Sequence, residues 1–127
     1  MAASVADRVL DNGLTVLDTE ATHLYICSSE PTTYTEATST YALGNKNFGA
    51  GSVFGSPAAG SPNGRKVSSV AVTDGTVTGT GTAGYVGVTD NANSRLLADT
   101  TLSASQAVTS GNTWALGSFD IRLPSQA

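Results

Sequence analysis

Charge is what this sequence has least of. Lys, Arg, Asp and Glu make up 13% of its 127 residues, about half the usual share in a soluble protein. The net charge of −4 argues against nucleic acid as a partner, since that binding rests on neutralising phosphates with Lys and Arg. Cysteine is nearly missing as well. Cys27 stands alone, which excludes an internal disulfide framework, and its apolar neighbours make it a buried thiol rather than a reactive one. His23 is the single histidine. With no second His or Cys at ligand spacing, a zinc site is not expected, and a structural histidine at a strand start explains it better than a Cys–His nucleophile pair. No run is long and apolar enough to span a membrane. Met1-Ala2-Ala3-Ser4 lacks the basic and apolar regions of a Sec signal, so export by that route is not expected.

Ser, Thr, Gly and Ala take the place of charge. A hydroxyl-rich surface of this kind desolvates cheaply and suits lasting contacts with neighbouring subunits. The length fits one domain, 1–127, with a single modest core. Within it, residues 1–44 form a mixed helix and strand part, 45–64 a long Gly/Pro-rich loop, and 65–123 an antiparallel β block.

The β block organises the chain. From Lys66 to Leu123 it runs as short β-prone segments, punctuated at Asp74-Gly75, Asp90–Ser94 and Gly111-Asn112. Val, Thr and aromatics favour a pleated, half-buried surface, and Gly, Asn and Asp permit the φ values of tight turns. The predicted fold class is mainly β: an antiparallel β-sandwich, jelly-roll or Ig-like, with one or two short N-terminal helices. Hairpins are expected at Asp74-Gly75 and near Gly111-Asn112. In the last segment Ala115, Gly117, Phe119, Ile121 and Leu123 share the parity that looks buried. Trp114 on the other parity either packs against a second layer or a neighbouring subunit, or offers a platform to a glycan.

The N-terminal part reads differently. Ser4 as N-cap, Val5 and Val9 at i,i+4 and Gly13 as a C′ residue predict a helix from about Val5 to Asn12. Leu14, Val16 and Leu17 either continue it or begin a strand. His23–Ser28 is apolar at both parities, as in a central strand buried on two sides. Thr33-Tyr34-Thr35-Glu36 has the form of a capping box and predicts a second helix, closed by Gly44. The 45–64 loop carries Phe48, Val53 and Phe54, which must be tucked onto the body or onto a partner. Gly and Pro on both sides favour a loop that reaches outward to a neighbouring subunit.

Motifs with catalytic meaning are few. Asp90-Asn91-Ala92-Asn93-Ser94 has the alternating oxygen donors of a calcium loop but neither its Gly nor its Glu, and a hairpin turn accounts for it. Asp7 with Asp11, and Asp18 with Glu20, read as caps or solvated positions. Gly79, Gly81, Gly84 and Gly87 precede no helix, so they form no dinucleotide fingerprint. No catalytic, cofactor-binding or metal-binding residue is expected.

Several stretches nonetheless carry a likeness. Leu10–Leu14, Glu30–Tyr34, Leu43–Lys46 and Gly64–Val67, followed by Gly81–Ala83, Ser94–Ala98, Ser105–Thr113 and Phe119–Ile121, resemble a family of small virion structural proteins of tailed bacteriophages. The likeness spans nearly the whole chain and rests on turn and core signatures. After Gly81-Thr82-Ala83, where that family commonly has a larger aromatic or a His-aromatic pair, this chain has Gly84-Tyr85. The resemblance implies a non-enzymatic capsid decoration or cement protein, homo-oligomeric in the particle. It would contact the major capsid protein or other virion proteins, and be assembled in the cytoplasm of the bacterial host. A tail, neck or fibre-base adaptor, and a glycan-binding module on the virion surface with Trp114 or Tyr85 as its platform, are the alternatives. Phe48, Val53, Phe54, Tyr85 and Trp114 are the expected interface residues.

Overall fold

The computed structural model describes residues 7–59 and 64–123. The chain is mainly antiparallel β. After helix α1 (Asp7–Glu20) come strand β1 (His23–Cys27), a single π-helical turn (Glu36–Thr40), then β2 (Ala42–Asn47), β3 (Ala58–Ala59), β4 (Arg65–Ser68), β5 (Val72–Val77), β6 (Gly81–Asp90), β7 (Arg95–Val108), β8 (Thr113–Leu116) and β9 (Asp120–Leu123). Six strands form one sheet in the order β7-β6-β1-β2-β5-β8, and β3-β4-β9 form a second. Leu24 and Ile26 of the first sheet, Val67 of the second and Leu14 and Leu17 of α1 belong to one core.

The expected helix from Val5 to Asn12 is longer than the sequence suggested. Ser4 and Val5 lie outside the described residues, but α1 runs on through Gly13 to Glu20. Leu10, Leu14, Leu17 and the following Ala21 sit on one stripe, and all four are buried. Gly13 falls on the exposed side. A mid-helix glycine costs about 1 kcal/mol relative to alanine, whereas burying one leucine stabilises by roughly 1.5–3 kcal/mol. Leu14 and Leu17 therefore carry the helix past Gly13. Thr15 and Thr19 donate their hydroxyls to the carbonyls of Asp11 and Thr15, four residues back, at 2.7 and 2.8 Å. Asp11 also ties α1 to β4, taking Arg65 Nε at 2.7 Å and Nη2 at 3.3 Å.

β1 is the central strand that its two apolar parities imply. It pairs antiparallel with β2 on one side and β6 on the other. Leu24 and Ile26 point into the core. Cys27, on the other parity, donates its thiol to the Ala37 carbonyl at 3.6 Å, and buried Pro31 and Ala37 lie against Gly87 of β6 beside it. The segment from Pro31 to the π-helical turn thus covers the second face.

The second expected helix shrinks to that one turn. Thr33 Oγ1 accepts the Glu36 amide at 3.1 Å, half of the capping box. The Glu36 carboxylate instead accepts the amide and hydroxyl of Thr32, at 2.8 and 2.7 Å, one residue early. These bonds, the Thr32 hydroxyl foremost, hold its pKa below the usual carboxylate range. Thr38, Ser39 and Thr40 continue no apolar stripe, and β-branched side chains lose χ1 freedom in a helix. Gly44 closes nothing; it lies in β2, where a Cβ would meet the Thr76 carbonyl and the Trp114 indole.

Three further expectations change. Asp74-Gly75 is no hairpin but the interior of β5, with a register shift between Val72 and Gly75. Thr109–Asn112 is a turn, with Gly111 at φ +93°, yet β7 and β8 stand at opposite edges of the sheet rather than side by side. The segment Thr113–Leu123 is two strands in two sheets, so its parity breaks: Trp114 is buried and Ala115 exposed in β8, then Phe119 and Ile121 pack on the core. The side chain of Leu123 lies outside the described residues. The hairpin at Asp90–Ser94 forms as read, closed by the pair Asp90 and Arg95 with Ser94 at φ +54°.

Gly75 shows why the Asp-Gly turn was displaced. A Cβ there would lie 2.2–2.6 Å from Trp114 ring atoms. Gly84 has nothing within 4 Å. Gly75→Ala is expected to destabilise by about 1–3 kcal/mol through overpacking, with a red-shifted Trp114 emission. Gly84→Ala should stay within about 1 kcal/mol of the parent. Urea titrations of the two variants check the contrast.

Candidate functional site

The 45–64 stretch does not form the outward loop expected of it. Asn45, Lys46 and Asn47 complete β2. Phe54 bridges to Ser69, Gly55 N donates to the Ser68 carbonyl at 3.1 Å, Val70 N to Val53 at 2.9 Å, and β3 pairs with β4. Residues 60–63 lie outside the described ones. Val53 is 0% and Phe54 3% exposed, and the Phe54 ring meets Phe119 edge-on at 5.9 Å. These two side chains belong to the protein's own core and are not surface for docking. Phe48 is half-buried against the same core, with Lys46 Nζ 5.9 Å from its ring centre.

Trp114, also proposed for an interface, is 4% exposed and offers no platform. Its Nε1 donates to the Asn45 carbonyl at 3.3 Å. Tyr85 alone of the aromatic candidates besides Phe48 keeps partial exposure, on β6 between Cys27 of β1 and Thr101 of β7. The five expected interface residues therefore do not converge on one surface patch.

The densest polar cluster surrounds the start of β1 and the end of β6. Thr22 Oγ1 lies 2.8 Å from His23 Nδ1 and accepts the Asn91 amide at 3.0 Å. Asn91 Nδ2 donates to Tyr25 Oη at 3.0 Å, and Thr89 Oγ1 donates to Asn91 Oδ1 at 2.6 Å. His23 stacks on Tyr25 at 5.8 Å, and burial pushes its pKa down. Asp90 is 2% exposed, and its two oxygens accept the Ala92 amide at 3.1 Å and Asn93 Nδ2 at 2.8 Å. Of the oxygens that resembled a calcium loop, those of Asp90 and Asn91 are thus engaged by neighbouring groups. Among the described residues no group of three or more His, Cys, Asp and Glu could hold a metal ion. Of the candidate carboxylate pairs, Asp11 meets Arg65 and Glu20 meets Arg95 at 3.4 Å. The side chain of Asp7 lies outside the described residues.

A cleft supplies what the motifs do not. About 280 Å³ in volume, it is lined by Val86, Thr100, Thr101, Leu102, Leu116, Gly117, Ser118 and Phe119. Residues of β7 form one wall and residues of β8 and its exit the other. The six-stranded sheet therefore curls until its two edge strands flank a single opening. Its walls offer methyls, hydroxyls and one ring, groups that make contacts without titrating at neutral pH. No charged residue occurs from Thr100 to Phe119, nor from Gly75 to Thr89. These two runs meet at one end of the sheet, where Ser110 N donates to Thr80 Oγ1 at 3.1 Å and Gly111 N to the Val77 carbonyl at 3.0 Å. The charge-free runs stand in plain sight in the sequence; their meeting in space depends on the curl.

Comparison of the chain with protein-family models, with curated proteins and with solved structures finds no match.

Two tests follow from this geometry. Phe54→Ala is expected to cost about 3–5 kcal/mol, as a large core truncation does, read as a lowered melting temperature by circular dichroism. A surface docking residue would leave melting unchanged. Cys27 is pushed up to about 12, first by burial and then by the charge of Asp99. The native thiol should resist alkylation at pH 8 and react once the chain is unfolded. Its folded pKa lies above the ordinary 9.0, so the stability it contributes is complete below that value and is lost as pH rises toward 12. Cys27→Ala should flatten that alkaline decline in a series of denaturant titrations.

Proposed function

We propose that this chain is a non-enzymatic structural protein of a tailed-bacteriophage particle, acting as a capsid decoration or cement protein against the major capsid protein. The observation that carries this reading is that two runs without charge, Gly75–Thr89 and Thr100–Phe119, line the cleft and meet at the sheet end near Thr80 and Ser110. Burying hydroxyls and methyls costs far less than burying unpaired charges. A cement works by many modest contacts repeated over a shell, so its surface needs low desolvation cost and shape rather than reactive groups. The resemblance to small virion proteins points the same way. In this reading the two sheets are the layers of a sandwich, since Val67 of one and Leu24 of the other share a core.

A glycan-binding module needs an exposed aromatic face, and burial of Trp114 removes the first candidate for it. No helix among the described residues is long and apolar enough to cross a membrane.

The test is made on purified particles. The protein is expected on intact heads in many copies, seen by mass spectrometry and by antibody labelling in electron micrographs. Heads lacking it should release DNA at a lower temperature. Labelling at the tail would overturn the cement role, and absence from particles would overturn the virion reading altogether.

A further inference from the structure

β7 is an edge strand: among the described residues it pairs with β6 alone. Its ladder is irregular at two places, opposite the Val88–Thr89 step and opposite Gly84. Between them Ala98, Asp99, Thr100 and Thr101 run in unbroken register with Val88, Gly87, Val86 and Tyr85. An edge strand presents a row of unpaired N–H and C=O groups. The irregularities at both ends confine the regular part of this row to about 13 Å, one short strand's length.

Each face of this stretch opens on a cleft. Gly87 stands opposite Asp99 and lies against Pro31 and Ala37, so the Asp99 side chain is on the face that the Pro31 segment covers. There a cleft of about 300 Å³ is lined by Glu30, Pro31, Thr32 and residues 96–99. It is anionic: Glu30 and Asp99 line it with no cation among the lining residues, and Glu36 holds Thr32 at 2.7 Å beside it. Arg95, the nearest cation along β7, is engaged by Glu20. On the other face Val86 and its partner Thr100 line the cleft of about 280 Å³ together with Leu102 and Leu116, and no lining residue there is charged.

Successive side chains of a strand point to opposite faces. A strand added beside residues 98–101 therefore sends one side chain into the anionic cleft and its neighbours into the apolar one. We propose that this edge takes up a short extended segment of a partner protein in which Arg or Lys stands between two aliphatic residues. The cation enters the cleft of Glu30 and Asp99, and the aliphatic chains lie beside Leu102 and Leu116. In such additions main-chain hydrogen bonds supply affinity and pockets for alternate side chains supply specificity. Charge complementarity selects the occupant, since an acidic segment is repelled and an uncharged one covers two carboxylates without pairing them. A second copy does not supply the segment. Only Arg122 in this chain stands between two aliphatic residues, and it lies in β9, laddered to β4 with Ile121 on the core.

The inference does not rest on the virion reading; its experiment uses the free chain, so the two fail separately. The probe is a synthetic peptide, Ser-Thr-Val-Arg-Val-Thr-Ser with blocked ends, titrated to about 5 mM into the isotope-labelled full chain and followed by NMR. Saturable shifts are expected at the amides of residues 98–101, Thr32 and Leu116. Exchanging the peptide's Arg for Glu should weaken binding about tenfold or more, and Glu30→Gln/Asp99→Asn should weaken the Arg peptide by a similar factor. Circular dichroism verifies folding, and Glu30→Gln alone, at an exposed position, is the second variant with the same expected direction. Of two peptides N-methylated on alternate residues, one should bind and the other fail, because only one edge of an added strand meets β7. No saturable shift with the Arg peptide overturns the proposal. Equal binding of the Arg and Glu peptides, or an equal response to the two N-methylated ones, overturns it as well. Shifts at residues 98–101 on concentrating the chain alone would place a second copy on this edge and overturn the choice of partner.

Discussion

The indole of Trp114 determines how half of the large sheet is built. It projects from β8 at the sheet edge, lies over Gly75 on β5, and reaches Gly44 on β2. Each of those positions tolerates no side chain, and the indole nitrogen ends on the Asn45 carbonyl. One residue therefore fixes the approach of three successive strands. It also sets the register at which β5 must bend, because the shift between Val72 and Gly75 lies where the ring passes. A large aromatic at a sheet edge with glycines beneath it is a rigid clamp that leaves little freedom for slippage.

That clamp explains most of what the sequence did not disclose. Local chemistry at Asp74-Gly75 favours a hairpin, and only a tryptophan distant in sequence turns the same dipeptide into strand interior. The turn at Gly111-Asn112 was legible, but its strands go to opposite edges because β8 must reach β5. Phe54 was legible as apolar and misplaced as a docking group, since its bridge to Ser69 involves backbone partners that no pattern announces. By contrast, the central position of β1 followed from its two apolar parities, and the Asp90–Ser94 hairpin from its turn residues. The extent of α1 lay in the Leu10, Leu14, Leu17 stripe, which outweighs Gly13. The cleft was not legible at all: Leu102 and Leu116 meet through curvature, and curvature is a property of the whole sheet.

The few charges are placed with the same economy. Arg65 holds α1 through Asp11, Lys66 and Ser68 hold β9 through Asp120, Lys46 meets Asp74, and Arg95 meets Glu20. The Asp120 carboxyl is held below its usual range by the Ser68 hydroxyl first and by Lys66 second. These pairs are partly exposed, so each contributes little stability by itself. Their value is positional, because each joins elements that the backbone ladder leaves apart or pins a pairing at its rim.

The middle position of β1 has a consequence for the order in which the molecule can form. β1 leaves the helix early, yet one of its two partners, β6, lies in the second half of the chain, so Leu24 must find Val88 before the sheet has a centre. Closing so long a loop carries an entropic cost before the contacts that offset it exist. Topologies dominated by such distant pairings fold slowly, over milliseconds to seconds. Until β6 arrives, the edge of β1 stays open, and a nascent chain still lacking its last third has no way to complete the large sheet.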